Sequence, residues 1–118
     1  DTAAIIELVS SIQPQIAIIE LQQAMPKQGV SSTFKTGYGY GLLVGLLEGL
    51  GVEVLPISPR KWKKIHPADL RRSKEATLDL VAERFPTVPL VAPRGRVRHD
   101  GIGDALGMMV WCLDESPL

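Results

Sequence analysis

Ile16-Ala17-Ile18-Ile19-Glu20 is the stretch on which the fold turns. Four apolar residues, three of them β-branched, predict a buried strand that is apolar on both faces. It ends in a carboxylate. In open α/β sheets the functional crevice lies beyond the carboxyl ends of the parallel strands, which is where Glu20 emerges. The polar run Leu21-Gln22-Gln23-Ala24-Met25-Pro26-Lys27-Gln28-Gly29 follows as an irregular loop at that crevice. The plain alternative is a solvated Glu that only stops the strand.

Outward from this strand, the next element predicted is a helix over about residues 33–49. Its glycines stand at 37, 41, 45 and 49, a spacing of four. Glycine costs about 1 kcal/mol against alanine inside a helix, so a stripe of them calls for a reason. On one face they form a smooth groove for the sheet or for a second subunit. Gly37-Tyr38-Gly39-Tyr40-Gly41 is not a dinucleotide loop, because no strand leads into it and the G-x-G-x-x-G spacing is absent. Gly51 closes the helix, and Val52-Glu53-Val54-Leu55-Pro56-Ile57 is the second strand. Strand, helix, strand predicts a parallel βαβ unit.

Upstream, residues 2–11 have helical spacing, with Asp1 or Thr2 as N-cap and Pro14 as terminator. Downstream, Trp62 is predicted partly buried under lysine stems. Ser73 caps a helix over 74–85 with Ala76, Leu80, Val81 and Phe85 inward, and Pro86 stops it. Residues 87–98 read as an exposed, basic, mobile loop. A last helix over 100–113 turns Ala105, Leu106, Met108, Met109, Trp111 and Cys112 mostly inward, and the tail at 116–118 is expected to fray.

With 118 residues and 45% apolar content, the chain can bury the core of one domain. Formal charge is zero, so the overall balance proposes neither nucleic acid nor membrane. The distribution is less even. Residues 60–74 hold seven Lys or Arg against the single carboxylate Asp69, and Arg94, Arg96 and Arg98 follow later. Such runs suit a phosphate backbone, although a solvated face is the commoner reading. The lone Cys112 excludes a disulfide framework and a Cys-rich zinc site, and it reads as a core thiol. No stretch has the length of a membrane span, and no signal peptide is visible, so a soluble protein of a reducing compartment is expected. The absence of an initial Met suggests a truncated or processed product.

The second chemical signal is His99-Asp100-Gly101-Ile102-Gly103-Asp104. Asp100 and Asp104, four apart, project from one face at the start of the last helix. The helix dipole explains Asp100 but explains Asp104 less well, beside Ala105 and Leu106 on a helix expected to be buried. Carboxylates of Glu20, Asp100 and Asp104 are hard ligands that suit Mg²⁺ or Mn²⁺. Two such ions about 4 Å apart can activate water for phosphodiester hydrolysis. Gly101 and Gly103 would leave room for a nucleic-acid backbone. His99 has several compatible roles: orienting water, ligating metal, shuttling a proton or contacting phosphate.

Several residues carry a family likeness in their joint order. They are the strand ending at Glu20, Thr36-Gly37-Tyr38-Gly39-Tyr40-Gly41, a second strand, Trp62-Lys63, a helix from Ser73-Lys74 to Phe85-Pro86, and His99-Asp100-Gly101-x-x-Asp104-Ala105-Leu106. This order, over about residues 1–113, resembles the RuvC-type Holliday-junction resolvases, closest to the chloroplast and phage-like branch. The resemblance implies an α/β, RNase H-like (RuvC-like) fold, a homodimer, and Mg²⁺-dependent paired cleavage of four-way DNA junctions. It implies that Glu20, Asp100 and Asp104 bind metal, with His99 in the same catalytic set. Lys63 and Lys74 would contact DNA, and the helix of Tyr38 and Tyr40 would lie at the dimer and junction centre. Lys27, Lys35, Lys61, Lys64, Arg96 and Arg98 complete the expected DNA-facing set. The setting implied is a bacterial or phage cytoplasm, or an organelle after transit-peptide removal.

One departure matters. Family members begin with an antiparallel meander of three strands whose first strand carries an essential Asp, and Asp1 precedes a helix instead. The chain therefore reads as an N-terminally shortened member, with two parallel strands flanked by helices and an open strand edge awaiting cover. A non-catalytic branched-DNA-binding module is the second reading, and a generic α/β domain with solvated acidic caps is the third.

Overall fold

Two short strands, β1 (Ile16–Glu20) and β2 (Glu53–Ile57), pair in parallel, with Ile16 opposite Glu53 and Glu20 opposite Ile57. They are the two strands of the only sheet in the computed structural model, which describes residues 1–115. The expectation for residues 116–118 lies outside that range. Parallel pairing requires a crossover, and α2 (Val30–Gly49) supplies it. The helix begins three residues earlier than its pattern predicts. At its end Gly51 takes φ +82°, and its N–H donates to Glu48 O, while Val52 N donates to Leu47 O. Glycine is needed there because the left-handed region penalises a Cβ.

α1 (Thr2–Ile12) is capped by Asp1, whose carboxylate accepts from Ala3 N at 3.0 Å and Ala4 N at 3.4 Å. The chain divides into two compact units, Asp1–Ser58 and the part from Pro59 on. The first unit holds α1, β1, α2 and β2, and its buried apolar residues are Leu47, Val52 and Ile57. The expectation of a fully buried β1 fails here. Ile16 is exposed and residues 17–20 are only half-buried, because a single neighbouring strand covers one edge. Ile6, Leu8 and Ile12 of α1 and Val30, Phe34, Tyr38 and Leu42 of α2 also remain exposed.

The second unit is helical. A short α3 (Pro59–Trp62) and two 3₁₀ turns lead to α4 (Lys74–Arg84) and α5 (Asp100–Asp114). Ser73 caps α4 by accepting from Ala76 N at 3.0 Å, as its sequence predicts. The core joins Leu78, Val81, Leu90 and Val110, with Ile65, Leu80, Phe85, Ile102 and Leu106 packed against it. Trp62 is completely buried rather than partly covered by lysine stems. Along α4 and its C-cap, Val81 is buried and Leu80 and Phe85 pack half-buried against the core, as their pattern predicts, while Thr77 and Leu78 are buried as well and Ala76 is half-buried. On α5, Gly103, Gly107, Met108, Val110 and Trp111 are buried, while Ala105 and Met109 are exposed.

The reason for that rotation is close approach. A Cβ on Gly103 would meet Leu78 Cδ2 at 2.6 Å, and one on Gly107 would meet the Trp62 ring at 2.6 Å. These glycines let α5 press onto α4 and α3, so Gly103 does not hold space for a ligand. The segment predicted as a mobile loop is also built in: Leu90 is buried, His99 N donates to Leu90 O at 2.7 Å, and Val91 bridges Arg98.

Thr77 is buried because it serves His66. The imidazole, 4% exposed, has Nε2 at 2.8 Å from Thr77 Oγ1. Burial, and then the Lys63 charge, hold the His66 pKa below its ordinary 6.5. The unfolded chain therefore takes up this proton first as pH falls. His66 contributes stability above about pH 6.5, and that contribution drains away below it until the folded pKa is passed. Urea midpoints at pH 7.5 and 5.5 should fall with acidity more steeply in the wild type than in His66→Gln. Equal slopes would exclude His66 as the source.

Candidate functional site

The candidate acidic helix start is organised by its histidine. His99 is the N-cap of α5, and its Nδ1 accepts from Gly101 N at 3.0 Å and Ile102 N at 3.3 Å. Accepting with Nδ1 leaves the ring proton on Nε2, so a neutral His99 offers a donor outward. A Cβ on Gly101 would lie 2.9 Å from His99 Cε1, so this glycine makes room for the capping ring, not for a nucleic-acid backbone. His99→Ala should cost about 0.5–2 kcal/mol, and His99→Asn should recover much of it, as thermal melts would show. Equal loss in both variants would argue that the cap contributes nothing.

Asp100 opens α5 and meets Lys74 Nζ at 3.2 Å, both side chains being largely exposed. An exposed pair of this kind is worth about 0–1 kcal/mol, so either group can exchange it for another ligand. Asp104 follows one turn later and is half-buried. In the other unit, Glu20 is the half-buried last residue of β1. Gln22 Nε2 donates to Glu20 O at 3.3 Å, and Leu21 N donates to Ile57 O at 2.8 Å, which fixes the chain where it leaves the sheet. The donor chemistry of Glu20, Asp100 and Asp104 is right for a hard cation. Among the described residues, neither unit by itself gathers three His, Cys, Asp or Glu side chains able to hold a metal.

The basic run folds into a hollow lined by Arg60, Lys63, Lys64, Arg71 and Arg72, with Asp69 the one acid in the lining. Arg71 is held there by donating Nε–H to His66 O at 3.2 Å. Lys63 Nζ lies 5.5 Å from the centre of the Trp62 ring, and Lys61 Nζ lies 5.5 Å from that of Trp111. These cation–π contacts keep ammonium groups at the surface above buried aromatics. Arg60, Arg71 and Arg72 were not singled out as site residues from sequence. Their clustering depends on the two 3₁₀ turns, which leave no periodic signal.

The remaining expected contacts divide. Arg98 is half-buried and paired with Glu75 and, at 2.9 Å, Asp79, which hold its pKa above the usual range. Its charge is thus committed to α4. Arg96 and Lys35 are exposed, and Lys27 is exposed with φ +68°. Tyr38 is exposed and stacked on Phe34, centroids 6.4 Å apart, whereas Tyr40 is half-buried. Cys112 is half-buried on α5. No described helix is long and apolar enough to cross a membrane.

Among the described residues the chain is thus an α/β protein of five helices and a two-stranded parallel sheet, with an acidic helix start and a basic hollow in its second unit. No protein-family model matches it, and a search of curated proteins gives no match.

Proposed function

We propose that this chain is a RuvC-like, RNase H-like module that cleaves branched DNA with Mg²⁺ or Mn²⁺, its preferred substrate a four-way junction. What supports the reading is the setting of the carboxylates within each unit taken by itself. Glu20 ends a parallel strand of a βαβ unit, and Asp100 and Asp104 stand one turn apart on a capped helix. A divalent ion bound by these residues would supply Lewis acidity at the scissile phosphate. His99 fixes the first turn of α5 and presents Nε2–H as a donor to a phosphate oxygen. The basic hollow holds the backbone of the nucleic acid.

The proposal includes a homodimer through α2. Gly41, Gly45 and Gly49 meet nothing within 4 Å of a built Cβ, and exposed Phe34, Tyr38 and Leu42 form the neighbouring ridge. Each copy therefore offers both a ridge and a groove. A branched-DNA-binding module without cleavage is the second reading, in which the basic hollow of Arg60, Lys63, Lys64, Arg71 and Arg72 holds the DNA without chemistry.

The deciding experiment incubates the chain with a labelled four-way junction, with and without Mg²⁺, on native and denaturing gels. Symmetric nicking only with metal supports the nuclease. A retarded but intact junction supports the binder, and neither shift nor cut overturns both. Within either reading, Lys64→Glu should weaken junction binding and lower the magnitude of the log–log salt slope by roughly 0.9 or more. An unchanged slope would remove the hollow from the interface.

A further inference from the structure

The loop after Glu20 and the first turns of α2 enclose a cleft that the proposed chemistry does not use. Gln22, Gln23 and Gln28 line it from the loop, and Thr33, Thr36 and Tyr40 line it from α2. Its cavity volume is about 210 Å³, below the ~300–1,000 Å³ usual for drug-sized ligands, which suits one small ring system rather than a larger molecule.

No charged side chain is among the lining residues, so the cleft is not built to hold a phosphate or a carboxylate. What it offers is neutral: amides, hydroxyls and a phenol around a wall that is mainly carbon. The rim is partly fixed in advance. Gln28 Oε1 accepts from Met25 N at 3.2 Å, and its Nε2 donates to Ser32 Oγ at 3.2 Å and reaches Thr36 Oγ1 at 3.5 Å. Gln22 is tied to Glu20 O by its own amide. A ligand matching these walls is flat, uncharged and apolar on its faces, with donors and acceptors along its edge. A nucleobase has those properties. Glutamine amides pair bidentately with base edges, and tyrosine rings stack on unpaired bases.

We propose that this cleft takes up one unpaired nucleobase and reads its edge, with Gln23 and Tyr40 as the discriminating groups. The proposal rests on the reading that the chain binds branched DNA, where bases at the branch are free to leave the stack. Gly37, also in the lining, supplies a test. A Cβ built there meets nothing within 4 Å, so a side chain at this position starts into open space and Gly37→Leu is the variant that narrows the cleft. It also favours helix.

The test follows the glutamine side-chain amide signals by NMR while adding deoxyadenosine, deoxyguanosine, deoxycytidine or thymidine. Saturable shifts at Gln22, Gln23 and Gln28 are expected, with one nucleoside preferred by roughly fivefold or more. Gly37→Leu should lose the response while keeping its fold, and Gln23→Leu should level the preference. No saturable shift with any nucleoside, or an undiminished response in folded Gly37→Leu, overturns the proposal. A parallel assay uses junctions that differ only in the base at the branch. Nucleoside binding without junction binding would overturn the branched-DNA reading and leave the cleft standing. Junction binding indifferent to that base, with no nucleoside response, would overturn the cleft alone.

Discussion

Trp62→Ala is expected to cost about 3–5 kcal/mol, the range for deleting a fully buried large aromatic. The ring is 0% exposed, it fills the space left by Gly107, and Lys63 sits above it. Alanine would leave a cavity that neighbours cannot close, because the contact on the Gly107 side is backbone rather than a flexible side chain. Total stabilities of small domains are only about 5–15 kcal/mol, so a loss of this size is a large share of the margin. Urea unfolding followed by the fluorescence of the remaining Trp111 measures it. Trp62→Phe should lose markedly less. A loss below about 1 kcal/mol for the alanine variant would show that the site collapses freely and that the described packing is wrong.

If the proposed nuclease reading holds, Glu20→Gln and Asp104→Asn should each abolish Mg²⁺-dependent junction nicking while leaving junction affinity within about twofold. Each change keeps the shape of the side chain and removes its charge and its strength as a hard ligand. Since phosphate contacts supply most of the affinity, binding should survive where chemistry does not. Gel retardation and nicking on the same samples separate the two effects. Nicking that persists in either variant, or binding lost together with nicking, would remove that carboxylate from the proposed metal set. Asp100→Asn would also release Lys74.

What could be read from residues alone was what depends on local pattern. The isoleucine-rich run at 16–19, the glycine at 51 and the serine at 73 each dictate a conformation within a turn or two, and each stands where its chemistry puts it. What escaped depends on which distant side chain arrives. Four glycines on α2 looked like the close-packing stripe, yet they face open space, and Gly103 and Gly107 on α5 are the ones pressed by neighbours. Spacing cannot distinguish these cases, because only a partner makes a groove a contact. His99 was weighed for chemistry, while its demonstrable task is to cap α5, a duty histidine seldom signals. Arg98 was counted as a DNA contact because the two carboxylates that engage it lie 19 and 23 residues earlier on α4.

The contacts at Gly103 and Gly107 also constrain how this sequence can drift. Position 103 is tied to Leu78 and position 107 to Trp62, each through a space smaller than a methyl group. A larger residue at 107 needs a smaller one at 62, and a larger one at 103 needs Leu78 to shift or shrink, so the four positions behave as two linked pairs rather than four independent sites. In any set of descendants of this chain, an alanine at 103 should travel with a smaller side chain at 78, and a tryptophan at 62 should hold 107 to glycine.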